Sequence, residues 1–99
     1  MPEQVSASEL ADRVLSHPSV VRLHGGQYGE IATYQPGQRI TGVRVGDDAV
    51  EIAVVLRLDR PLPEVVAELR GELTAAVGGI PVDVTVADVL GPDDPLEGG

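Results

Sequence analysis

Ninety-nine residues suit one domain, and its core must be built from Val, Leu, Ile and Ala, because the chain holds two Tyr and neither Phe nor Trp. Sixteen acids against seven arginines and no lysine give a formal charge of −9, which opposes binding to nucleic acid or to an anionic membrane surface. Cysteine is absent, so disulfides and thiolate metal sites are excluded.

Residues 1–5 read as a lead-in. In "SASE", Ser6 stands at an N-cap position and Glu9 three residues on, the spacing of a capping box, with Val5 and Leu10 placed for a hydrophobic staple. Leu10, Val14 and Leu15 share one helical face, and His17-Pro18 ends the element, because the residue before proline avoids the α region. The spacing predicts a first helix over residues 7–17.

Val20, Val21 and Leu23 read as a short apolar link into "LHGGQYGEIATYQPGQRITG", Leu23 to Gly42. Within it a strand is predicted through Glu30–Tyr34, then a tight turn at Gln35-Pro36-Gly37-Gln38, then a second strand over Arg39–Val45. Gly46-Asp47-Asp48 turns the chain again. The clearest strand is "VEIAVVLRL", in which Val50, Ile52, Val54, Leu56 and Leu58 alternate against Glu51, Ala53, Val55 and Arg57. The first set is expected on the core and the second on a mixed face.

"RPLPEVVAELRGELTAAVGG" predicts the second helix, with Pro63 in its first turn and Gly78-Gly79 at its stop. Leu62, Val65, Val66, Leu69, Leu73, Ala76 and Val77 form its apolar stripe, while Glu64, Glu68 and Glu72 form an acidic row at i, i+4, i+8. The last strand is read from "IPVDVTVADV", where Ile80, Val82, Val84 and Val86 alternate with Pro81, Asp83, Thr85 and Ala87. "GPDDPLEGG" reads as a disordered acidic tail, which divides the chain into a domain over 1–90 and a tail over 91–99.

The predicted order is α-β-β-β-α-β. It suggests an α+β two-layer sandwich, with both helices on one face of a three- or four-stranded mixed sheet. The second sheet face would then be uncovered, with Ala53, Val55, Thr85 and Ala87 on it. Ala53, Val55 and Thr85 there, and the acidic row Glu64, Glu68 and Glu72, are the candidate partner contacts.

Chemistry is harder to find. A Walker loop needs a lysine and a Ser/Thr after its last glycine, and a dinucleotide fingerprint needs a strand before its glycines and a helix after them. Neither context exists around Gly26-Gln27-Tyr28-Gly29. A KH clamp lies between helices beside basic groups, whereas here Glu30 is adjacent. The glycines are expected to make turns, with Gly26, Tyr28 and Gly29 as loop contacts if a ligand binds. His17 and His24 with Glu30 match no standard zinc spacing, and His17 suits a helix end. Ser16 and His17 are mere neighbours, and Asp47-Asp48 belong in a turn. No catalytic, cofactor-binding or metal residue is expected, and the chain is not read as an enzyme. No apolar run approaches the ~18 residues of a membrane-spanning helix, and residues 1–20 lack a signal-peptide layout, so a cytoplasmic protein is expected.

The second half, "VEIAVVLRLDRPLPEVVAELRGELTAAVGGIPVDVTVADV", resembles the alkaline shock protein family of bacteria. In that family a valine-rich strand passes through a proline and "PEV" into an amphipathic helix, and a glycine then opens a strand of the V-x-V-x-x-V type. Here these pieces are Pro63-Glu64-Val65, Gly79, and Val84, Val86 and Val89. "VLSHPSVVRLHGG" is similar to the family's first helix and glycine-bearing link, so the likeness spans most of residues 8–90. Thr85 stands where the family often has asparagine, and the best-known members are longer and carry lysine. The resemblance implies a small non-catalytic cytoplasmic protein supporting cell-envelope or alkaline stress homeostasis. Its partner would be a membrane-anchored protein, a longer relative, or a second copy, without direct membrane insertion. The alternative from the residues is a small-molecule-binding or regulatory domain using the glycine-rich loop over residues 23–30.

Overall fold

The computed structural model describes residues 6–26 and 29–91. The expectations for residues 1–5, for Tyr28 and for the tail over 92–99 lie outside these residues. The chain runs α1 (Ala7–Leu15), β1 (Val20–Leu23), β2 (Ala32–Gln35), β3 (Gln38–Thr41), β4 (Val43–Val45), β5 (Val50–Arg57), α2 (Leu62–Val77) and β6 (Val82–Leu90). The class is α+β. The order is not the expected one: five strands, not three, separate the helices.

Two corrections produce that difference. The apolar link Val20–Leu23 is itself a strand, pairing antiparallel with β5. The segment Arg39–Val45, read as one strand, is two, because Gly42 breaks it with φ +86°. β2 and β3 form a separate hairpin, with Pro36-Gly37 at its turn and Gly37 at φ +74°, the left-handed position that a type II turn assigns to glycine.

The main sheet is organised around β5. β6 pairs along one edge of it in parallel, from Val50↔Val82 to Arg57↔Leu90. On the other edge, β1 takes the C-terminal half of β5 and β4 the N-terminal half, both antiparallel. These two short strands meet at Ala53, whose N–H donates to the Gly42 carbonyl at 3.0 Å and whose carbonyl accepts from His24 N–H at 2.9 Å. The chain between them, residues 24–41, is thus extruded from the middle of a sheet edge. A Cβ on Gly42 would lie 2.6 Å from Leu23 Cβ and 3.0 Å from His24 N, so the junction has room only for glycine.

Both helices pack against one face of this sheet. Leu10 and Val14 of α1, and Val65, Leu69 and Leu73 of α2, share a core with Val43, Val50, Ile52, Val54, Leu56 and Val82. The alternation in β5 places its even-numbered residues on that core. Leu58 continues the alternation but lies past the strand and is 49% exposed, and Leu15 is likewise exposed at the end of α1. α1 starts where Ser6 accepts the Glu9 N–H at 3.1 Å and ends at Ser16, earlier than expected. α2 ends at Gly78 in the left-handed conformation, φ +76°. Among the described residues no helix is long and apolar enough to cross a membrane.

Candidate functional site

The second sheet face is not bare. Ala53 and Val55 are fully buried, although both lie outside the main core cluster. The glycine-rich loop crosses that face: His24, Gly26, Glu30 and Ile31 oppose Thr85 and Ala87 of β6 across an open cleft of about 760 Å³. Ala53 and Val55 are therefore corrected as contact residues, since neither presents any surface to a partner. Thr85 is exposed and remains available. No helix is left for this face, and residues of the glycine-rich loop stand over the Thr85 and Ala87 part of it.

The loop is shaped by turns. Gly26 and Gly29 both have positive φ, +86° and +71°. Gly29 N–H donates to the Gly26 carbonyl at 3.3 Å, and Ile31 N–H donates to the Gly25 carbonyl at 2.9 Å. A Cβ on Gly26 would stand 2.8 Å from the Glu30 carboxylate, so the missing side chain lets that carboxylate close against the loop. His24 Nδ1 accepts the Gly26 N–H at 2.9 Å, so the proton of a neutral ring sits on Nε2. Glu30 is exposed there, and Glu51 and Asp83 stand side by side in register on the same face.

Beside the cleft lies the outer edge of β6. Among the described residues β6 pairs with β5 alone. Val50 N–H donates to the Pro81 carbonyl at 2.9 Å, and a parallel strand offers alternate residues to each neighbour. Asp83 and Thr85 accordingly direct their backbone groups to β5, and Val84 and Val86 direct theirs outward. This edge is bounded at both ends. Val82 is buried, and the Val89 N–H is taken by the Asp88 carboxylate at 2.8 Å. Alternation breaks at Ala87, an extra residue between the pairs Val54↔Val86 and Val55↔Asp88.

The acidic row of α2 is partly committed to the fold. Arg60 grips both oxygens of Glu68, Nη1 reaching Oε1 at 2.9 Å and Nη2 reaching Oε2, and Nη2 also lies 3.5 Å from Glu64. The Arg60 guanidinium, and then the His17 ring, hold the half-exposed Glu68 carboxyl down at about 2, and the two carboxylates raise the Arg60 pKa in return. Glu72 is exposed on the same helix.

His17 is expected at a helix end; it lies two residues past α1, buried, and ties that end to α2. Its Nδ1 accepts the Ser19 N–H at 3.1 Å, so Nε2–H faces Glu68 Oε1 at 2.9 Å. The buried Ser19 hydroxyl donates to Asp59 at 2.8 Å. Serine, histidine and carboxylates thus gather in one place, but Ser19 Oγ is bonded to Asp59 and not to His17, so this cluster is not a nucleophile activated by a base. Sequence reasoning missed it because its members stand 40 and 51 residues apart. Among the described residues no group of three or more His, Asp or Glu side chains is arranged to hold a metal ion. In comparisons with family models, with curated proteins and with solved structures, nothing matches the chain.

Proposed function

We propose that this chain is a non-catalytic interaction protein of the alkaline shock type, cytoplasmic and reaching the cell envelope through a protein partner. The observation that carries this reading is the open stretch of β6 edge at Val84 and Val86. Backbone groups without a strand partner are a template for an added strand, and folded proteins otherwise cover or blunt them. The exposed Thr85 and the outer carboxylates of α2, Glu72 first, are the flanking contacts. The test is affinity capture of the tagged chain from detergent-solubilised host extract, run beside Val84→Pro. Proline at 84 removes an outward N–H and leaves pairing to β5 intact. Recovery of a membrane protein or a longer relative by the parent chain, and its loss in the variant, is expected. Equal recovery by both, or none by either, defeats the proposal.

A second reading rests on the cleft itself. His24, Thr85 and Glu30 line it beside Ile31 and Ala87, the mixed polar and apolar lining that small molecules use. A fragment screen read by NMR would support it if shifts cluster on His24, Ile31 and Thr85. Hits scattered over the surface would dismiss it.

A further inference from the structure

The open edge of β6 and the cleft adjoin one another, and Thr85 and Ala87 belong to both. We infer that they form one site for an extended basic peptide segment, which adds as a strand to Val84 and Val86 and sets an arginine or lysine side chain into the cleft against Glu30. The inference rests on the interaction-protein reading and names its partner's chemistry.

Three observations converge on it. First, the outward backbone groups of Val84 and Val86 set the partner's backbone: it must be extended, and it gains main-chain hydrogen bonds independent of sequence. Second, side chains of an added strand alternate between the two sheet faces. Those on the helix side lie beside Val84 and Val86, which are half-buried against the core and suit apolar neighbours. Those on the other side lie beside Asp83, Thr85 and the cleft. Third, the charged side chains that β6 itself sets on that side, and the carboxylate that lines the cleft, are acidic. Glu30 lines the cleft, Asp83 stands next to Glu51, and Asp88 is exposed at the far end. Arg22, Arg44 and Arg57 share that face but stand on β1, β4 and β5 and not on β6, with Arg44 3.4 Å from Glu51. A partner alternating apolar and basic residues therefore matches the edge on both faces. A second copy of this chain matches it poorly, because it brings another Asp83, another Asp88 and another formal charge of −9 to the same place.

The experiment uses the full chain and three capped heptapeptides that alternate arginine and valine. One is unmodified, one is N-methylated at the valines and one at the arginines. A strand presents alternate residues to β6, so one methylated peptide must lose binding at least tenfold while the other retains it; which one fails reports the strand direction. Amide exchange at Val84 and Val86 should slow on addition of the unmodified peptide. Glu30→Gln should weaken binding about threefold, the scale of an exposed ion pair. Equal binding by all three peptides shows charge attraction without strand addition and overturns the inference. So does protection of Val84 and Val86 in the absence of peptide together with a dimer in sedimentation, which assigns the edge to a second copy. If no peptide binds while the parent chain still captures a host protein that Val84→Pro does not, the basic partner is wrong and the interaction-protein reading survives.

Discussion

The two faces of the central sheet are closed by different means. The helix side is covered by α1 and α2, whose apolar stripes interlock with Val50, Ile52, Val54 and Leu56. The other side faces the glycine-rich loop, in which Ile31 is buried among the described residues. A helix brings a row of side chains at 3.6-residue spacing and seals a face; a loop brings backbone polar groups that must find partners, and it leaves gaps. The cleft falls on the loop side, and the open edge of β6 borders it through Thr85 and Ala87. The main apolar cluster lies on the helix side and the cleft on the other.

Side-chain truncation on each side separates the two faces. Leu69→Ala, fully inside the helix-side core, should cost about 2–5 kcal/mol in urea denaturation. Thr85→Ala, on the loop side, should stay within about 0.5 kcal/mol. Comparable losses from both would mean that the loop side is a core of equal weight. Gly42→Ala probes the junction from which the loop emerges. Its positive φ and the 2.6 Å approach to Leu23 predict a loss of about 1–3 kcal/mol or more, larger than for Gly37→Ala, where φ is also positive but the space is open.

His17→Ala tests the polar tie between the helices and should cost about 1–3 kcal/mol, since it strands the buried Ser19 N–H. The smallest effect concerns pH. Glu68 has a folded pKa of about 2 against an ordinary value of 4.5, so its contribution to stability is fully present above pH 4.5 and is lost as pH falls through 2. Glu68→Gln should lower the denaturation midpoint at neutral pH, and the gap to the parent chain should close between pH 4.5 and 2. A gap that stays constant with pH would remove the Arg60 and His17 pairing as its cause.

Much of the helix side is legible in the sequence. The period-two run in β5 and the 3.6-period stripe of α2 mark Val50, Ile52, Val54, Leu56, Val65, Leu69 and Leu73, which are buried, with Leu62, Val66, Ala76 and Val77, which are partly buried, and Leu58, which is exposed. Ser6 and Glu9 mark the first helix start, and Gly78 the second helix stop, because these signals act within four residues of where they are written. The loop side is illegible for the complementary reason. β1 is four residues and β4 three, too short for any period to show. Gly42 looks like any strand glycine until its neighbours are known. Glu64, Glu68 and Glu72 look equivalent, and only the approach of Arg60 and His17 separates Glu68 from Glu72.

By itself the sequence determined the class of the fold, the two helices, the central strand and the apolar set that joins them. Those features follow from local backbone preference and from periodicity, which a linear chain carries in full. The fold in space settled which sheet edge is left open, that Ala53 and Val55 are buried, and that Thr85 and Glu30 share a cleft. Each of these depends on where segments distant in the chain come to rest, and hydrogen-bond geometry and steric fit set that only once the core has closed.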